Sequence, residues 1–244
     1  MTAAMILCAG YGTRLGDLSK ELPKPMLPMG GRPILEYTIR HLASLGIADI
    51  VINLHYLPDI ITNHFDTGAK WNVHIDYSYE DAPLGTAGAV KKAEPFLQKF
   101  PQFLVLYGDI VCNQDYRDLL NYHGSNHDAM GTIILHERNA SNSIVEMDGS
   151  GRITRFIERP EAEVPDKRQN WVNSGLYCFS NSILDRIPAG LHCDFPRDIF
   201  PDMVYEGLLY GFPLHGYRCA IDSHERYEMM IEDFNRSRIF QNTL

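Results

Sequence analysis

The stretch "LCAGYGTRLGDLSKELPKPMLPMGG", residues 7–31, decides how the chain is read. It follows the apolar run "AMILC" at 4–8, which reads as a buried strand. The strand enters a long loop carrying glycines, an arginine and Pro-flanked lysine, rather than turning at once into a helix, and the question is what that loop is for. Gly10, Gly12 and Gly16 come close to the dinucleotide fingerprint, but their spacing is one residue too long. The second strand, "DIVINL", ends in His55 and Tyr56 where an acidic ribose ligand would be needed. A Walker loop is excluded as well, since no glycine is followed at the required spacing by lysine and Ser or Thr. What remains is a loop whose backbone N–H groups can approach phosphate closely at Gly10 and Gly12, with Arg14 and Lys24 supplying bidentate and point-charge contacts. The alternative is that the glycines merely turn the chain and the cations are solvated.

Outward from that loop, apolar runs alternate with helical patterns. A helix is expected from about Pro33 to Leu45, with Ile34, Leu35, Ile39, Leu42 and Leu45 on one face and Gly46 placed to end it. "DIVINL", "VHIDYSYE" and "QFLVLYGD" read as further strands, with "PDIITNHF" and "GTAGAVKKAEPFL" as helices between them. The order predicts an α/β fold with a doubly wound, mostly parallel, Rossmann-like sheet. In such sheets ligands bind at the carboxyl ends of the strands, so the loops after Cys8, Tyr79 and Tyr107 are expected to share one site. Beyond about residue 125 the pattern changes to "AMGTIIL", "SIVEMDGSGRITRFIE" and "WVNSGLYCFS", a mixed or antiparallel C-terminal extension closed by a helix from about Ser223 to Phe240. With no linker in 244 residues, one domain is expected, with halves 1–125 and 126–244.

Composition narrows the function. A formal charge of −9 argues against nucleic acid as partner, so an anionic ligand has to be held by a local cluster of cations. No run of eighteen apolar residues and no basic leader is present, which predicts a cytoplasmic protein with no membrane partner. Five scattered cysteines without a CxxC pair indicate reduced thiols rather than disulfides or a zinc knuckle. Two further features carry chemistry. "EDAPLGTAGAV" sets glycines and small residues after a strand and at a helix start, where unpaired N–H groups suit an anion or a base edge. "LVLYGD" and "YRCAID" end in Asp109 and Asp222, and two carboxylates from different strands can hold a hard cation such as Mg2+, whose other ligands are substrate phosphates and water. Asp222 also stands where it would simply cap the last helix.

Six segments, "AGYGTRL…PKPMLPMGGRPILEY", "PLGTAGAV", "YGD", "RFIERP", "VNSGLYCF" and "AIDSHERY", resemble in order and spacing the sugar-1-phosphate nucleotidyltransferases, or nucleotide-sugar pyrophosphorylases. The resemblance spans nearly the whole chain and is closest to the guanylyltransferases of mannose or manno-heptose 1-phosphate. It implies a Mg2+-dependent enzyme that makes a nucleotide sugar and pyrophosphate, here without an appended β-helix. It implies that Gly10, Gly12, Thr13 and Arg14 embrace the triphosphate, that Lys24 neutralises the α-phosphate, and that Gly85 and Thr86 meet the base. Leu7, Ala9, Glu80 and Gly108 would complete the nucleotide side, and Asp109 with Asp222 would hold the metal. Glu158 and Asn173 would contact the sugar, Gly175 would leave room for it, and Arg159 would grip its phosphate where relatives carry lysine. Ile110 replaces an asparagine of several relatives, and Ser223-His224 replaces a "GTP"-like tripeptide. The resemblance thus implies Arg14, Lys24 and Asp109 as the catalytic set. Thymidylyl-, uridylyl- and cytidylyltransferases share the scaffold, a non-catalytic nucleotide-sugar-binding regulator is the alternative from another class, and self-association stays open.

Overall fold

The computed structural model describes residues 2–12, 15, 16, 18, 20–138, 143–158, 171–237, 239 and 240. Along the chain run β1 (Ala3–Leu7), β2 (Pro28–Met29), β3 (Arg32–Pro33), α1 (Ile34–Ser44), β4 (Asp49–Leu54), α2 (Pro58–Phe65), β5 (His74–Tyr79), α3 (Gly85–Lys92), α4 (Glu94–Leu97) and β6 (Gln102–Tyr107). They are followed by β7 (Ile110–Cys112), α5 (Tyr116–Ser125), β8 (Gly131–Glu137), β9 (Ser143–Met147), β10 (Ile153–Glu158), β11 (Trp171–Ser180), α6 (Phe200–Tyr205), β12 (Leu209–Pro213), β13 (Arg218–Ala220) and α7 (His224–Ser237). The expected α/β order holds. The single helix expected over "GTAGAVKKAEPFL" is two, because Pro95 lacks an N–H and its ring crowds the carbonyl four residues back, so the chain restarts at Glu94.

The chain forms two compact units, and they do not coincide with the halves 1–125 and 126–244 expected from the sequence. The first comprises residues 1–83, 106–115 and 216–244, and the second 84–105 and 116–215. In the first, β1 pairs parallel with β4 and β4 with β5, and the last residues of β6 flank β1 on its other side. Ala3, Ala4, Met5 and Ile6 of β1 are all fully buried, as the central strand of a parallel sheet must be. The C-terminal segment joins this unit through β13, which pairs antiparallel with β7, Ala220 opposite Ile110. Met230 of α7 completes a core with Leu27, Met29, Tyr37, Val111 and Ile221, so residues at opposite ends of the sequence bury one another.

The sheet of the second unit has the mixed character the sequence predicts beyond about residue 125. β8 pairs antiparallel with β11 and parallel with β12, and β9 joins β11 and β10 antiparallel. Its core is aromatic: Phe179 stacks on Phe195 at 4.6 Å, and Tyr177 meets Phe200 edge-on at 5.4 Å. His123 is buried between the hydroxyls of Thr132 and Ser180, and burial pushes its imidazole down to about 4, so it serves as a neutral bridge.

Candidate functional site

The polar groups of the first unit converge at the carboxyl ends of its strands. At the end of β1 the Cys8 N–H donates to Asn53 Oδ1 at 2.8 Å, and Asn53 Nδ2 donates to Glu80 Oε1 at 2.7 Å. This relay runs across the ends of three neighbouring strands, with Asn53 and Glu80 both buried. It fixes where the glycine loop leaves the sheet. The Cys8 thiol is no nucleophile, since burial, with the Asp109 charge nearby, pushes its ionisation far up. Gly108 is demanded by packing: a Cβ there would meet Cys8 Sγ at 2.5 Å and the Leu7 carbonyl at 3.0 Å, and its own N–H donates to that carbonyl at 2.9 Å.

Lys24 begins a 3-10 turn, Lys24–Met26, with Pro23 extended before it and Pro25 inside it. The prolines fix the backbone and Pro25 and Met26 are buried beneath, so the lysine stem has one direction left to it. Its Nζ stands 3.4 Å from Asp109 Oδ2, with the lysine side chain 15% and the aspartate 31% exposed. The Asp109 carbonyl accepts the N–H of Ile221 at 2.9 Å, which seats Asp222 one residue beyond that bond. The expected rival role of Asp222 falls to its neighbour: Ser223 Oγ accepts the Arg226 N–H at 3.2 Å and caps α7. Asp222 is left 45% exposed, with Arg226 Nε 3.4 Å from its Oδ1, while the same Nε donates to the Ala220 carbonyl at 2.9 Å.

Among the described residues no group of three or more His, Cys, Asp or Glu side chains is placed to hold a metal. A Mg2+ ion needs no such group, since it takes one or two carboxylates and completes its shell with substrate phosphates and water. Asp109 and Asp222, partly exposed on adjoining backbone, suit that donor set.

The second unit corrects one expectation. Three amides at the start of α3 are engaged within the protein: Thr86 N–H donates to Asp194 Oδ1 at 3.0 Å, and the N–H groups of Ala87 and Gly88 both go to the Cys193 carbonyl, at 2.9 and 3.0 Å. The Thr86 hydroxyl donates to Asp194 Oδ1 at 3.2 Å and accepts the Phe195 N–H at 2.9 Å. The small residues of "GTAG" accommodate the 191–195 segment. At Gly85, where φ is +75°, a Cβ would lie 2.6 Å from the Cys193 carbonyl oxygen. Asn173 is likewise engaged: its Oδ1 accepts the Gly175 N–H at 2.9 Å and its Nδ2 donates to Tyr177 Oη at 2.9 Å, across an irregularity in the β8–β11 pairing. Glu158 ends β10, half-buried. Thr13, Arg14 and Arg159 lie outside the described residues.

Four participants escaped the reading of the sequence: Asn53, His55, Tyr56 and Arg226. Asn53 had a signal, since it is the polar residue inside the apolar run "IVINL". A polar side chain buried at a strand end is there to be hydrogen-bonded.

Taken together, fold and site define an α/β protein that presents a glycine loop, a held lysine and a partly exposed carboxylate, Asp109, after parallel strands, with a second, Asp222, on adjoining backbone after β13. The chain belongs to the nucleotidyl transferase family, whose model matches residues 3–217. It is 36% identical over 233 residues to a mannose-1-phosphate guanyltransferase of Schizosaccharomyces pombe, covering 92% of this chain and 62% of that protein. It is 34% identical over 222 residues to mannose-1-phosphate guanyltransferase beta-A of Xenopus laevis, covering 88% of this chain and 59% of that one. The chain thus spans about three fifths of the length of these curated relatives. Among solved structures, HddC from Yersinia pseudotuberculosis, also solved as a complex with GMP-PN, superposes with a TM-score of 0.78 at 28% identity. That match covers 96% of this chain and 100% of HddC. No helix among the described residues is long and apolar enough to cross a membrane.

Proposed function

We propose that this protein is a guanylyltransferase that joins GTP and mannose 1-phosphate, or the related manno-heptose 1-phosphate, into a nucleotide sugar with release of pyrophosphate. The observation that carries the reading is the convergence of Lys24, Asp109 and the Asp222 backbone in the first unit, in a chain whose relatives are named for this reaction. The HddC complex with GMP-PN supports a guanine nucleotide.

The reaction asks for little covalent help. A phosphate oxygen of the sugar 1-phosphate is already an anionic nucleophile. It bonds to the α-phosphorus of the triphosphate in line with the departing group, and the bond to pyrophosphate breaks with its electron pair leaving on pyrophosphate. The obstacle is the approach of two polyanions, and the protein's part is alignment and charge compensation. Lys24 would meet the α-phosphate and Arg14 the leaving pyrophosphate, with Gly10, Gly12 and Thr13 offering backbone and hydroxyl donors. Leu7, Ala9, Glu80 and Gly108 would shape the nucleotide side, and Gly85 with Thr86 would border the base as backbone rather than as free donors. Glu158 and Asn173 would contact the sugar beside Gly175, and Arg159 would face its phosphate. Mg2+, held by Asp109 and Asp222, would offset phosphate charge. Five buried free thiols support a cytoplasmic setting.

The test is pyrophosphate release from each nucleoside triphosphate against a panel of sugar 1-phosphates, with and without EDTA. The expected result is highest kcat/KM for GTP with a mannose-type 1-phosphate, abolished by chelator with unchanged circular dichroism. A different preferred base would move the protein to a sister activity on the same scaffold. Full turnover in excess chelator would remove the metal, and nucleotide-sugar binding with no turnover of any pair would make the protein a regulator.

A further inference from the structure

Two side chains that follow β4 reach back onto the glycine loop. The imidazole of His55 spans a gap, with Nδ1 2.8 Å from the Glu80 carbonyl oxygen and Nε2 2.7 Å from the Tyr11 hydroxyl. A carbonyl oxygen only accepts, so these partners assign the ring hydrogen to Nδ1 and make Nε2 the acceptor of the Tyr11 O–H. The Tyr11 ring stands edge-on to His55 at 5.0 Å and tilted against Tyr56 at 6.0 Å. Tyr56 in turn donates its hydroxyl hydrogen to the Lys20 carbonyl at 3.1 Å. Glu80 is therefore a common anchor. Its carboxylate holds Cys8 through Asn53 and its carbonyl holds Tyr11 through His55, so both ends of "CAGY" are tied to one residue of a neighbouring strand end. Tyr56 secures the same loop again past Leu18.

We infer that His55 and Tyr56 are positioning residues, a two-point clamp that holds the glycine loop in one conformation before a phosphate-bearing ligand arrives. The inference rests on the nucleotidyl-transfer reading for its ligand and on the geometry alone for the clamp. Gly10 and Gly12 give this segment backbone freedom that binding must remove, Gly12 already sitting at φ +69°. Apparent affinity falls by the fraction of molecules in the competent conformation, so a clamp acts on nucleotide binding and not on the chemical step. Tyr11 is 51% exposed, which makes it a poor candidate for a core-packing role.

Tyr11→Phe deletes only the hydroxyl link. His55→Asn places an amide donor where Nδ1 was, near the Glu80 carbonyl, and is too short to meet Tyr11. Three measurements apply to each: hydrogen exchange of the 8–12 peptide in the free protein, calorimetric titration with GTP, and steady-state kinetics with each substrate varied. Both variants should accelerate exchange about tenfold and raise Kd and KM for GTP about tenfold. They should leave kcat and the sugar-phosphate KM within about twofold, and the double variant should equal either single one, as expected for members of one chain of contacts. Unchanged exchange in both variants overturns the clamp, as does a fall in kcat at unchanged GTP affinity. A wild-type protein that binds no nucleoside triphosphate refutes the functional reading instead, and the exchange data still judge the clamp.

Discussion

Two glycine-bearing stretches, "CAGYG" at 8–12 in the first unit and "LGTAG" at 84–88 in the second, look alike in sequence and differ in what the glycine is for. At Gly10 a side chain would meet no described atom within 4 Å, whereas at Gly85 it would collide with the Cys193 carbonyl and at Gly88 with the Leu191 carbonyl at 2.7 Å. In the first stretch the space beside Gly10 is open among the described residues. The other stretch has its backbone covered by the chain itself, with the Thr86, Ala87 and Gly88 amides spent on residues 193–194. A glycine in a βα turn is thus evidence for close approach, and only the structure says whether the approaching atom belongs to a ligand or to the protein.

The difference can be broken most directly at Gly85. Alanine there combines a left-handed backbone with a clash against a carbonyl that cannot swing away, and should cost about 4 kcal/mol of stability. Denaturant unfolding measures it. A Gly85→Ala protein as stable as wild type would mean that the 193–194 segment gives way, and the glycine would return to the ligand.

Lys24→Ala should do the reverse. The side chain lies in a loop and makes one long contact with a partly exposed carboxylate, so the midpoint of unfolding should hardly move. Turnover should fall about a hundredfold, the scale of one preorganised electrostatic group, equivalent to about 2.7 kcal/mol in the barrier. Loss of stability without loss of rate would make Lys24 a structural residue like Gly85.

Much of this contrast was legible beforehand. The strand and helix order of the parallel sheet followed from apolar runs and periodicity, and so did the mixed character of the extension. The loops after β1 and β6 were placed at one end of the sheet by the rule for carboxyl ends, which the Lys24–Asp109 contact and the Gly108–Leu7 bond satisfy. The division into units was not legible, because it depends on two three-residue strands, β7 and β13, more than a hundred residues apart, and neither has a pattern of its own. The packing demand at Gly85 was not legible, because composition records that a Cβ is missing and not what stands in its place. The clamp escaped notice because His55 was weighed only as a missing acid, and its meaning lies in two partners that follow separate strands, Tyr11 after β1 and Glu80 after β5.

The smallest effect separates two adjacent residues. From sequence, Asp222 stood both as a metal ligand and as the cap of α7. In the structure the serine hydroxyl takes the Arg226 N–H, and the aspartate keeps only a loose contact with a guanidinium that is better satisfied by the Ala220 carbonyl. Ser223→Ala should therefore cost about 1 kcal/mol, the usual worth of an N-cap. Asp222→Asn should cost at most about 0.5 kcal/mol, since an exposed pair at 3.4 Å contributes little and the asparagine keeps the shape. Parallel denaturant titrations of the two variants decide the matter. If Asp222→Asn is the more destabilising, the aspartate belongs to the helix, and its availability to a cation is lost with that result. If the order is as expected, its carboxylate is the group in this segment that the fold does not use, and what it does must be sought in binding and turnover.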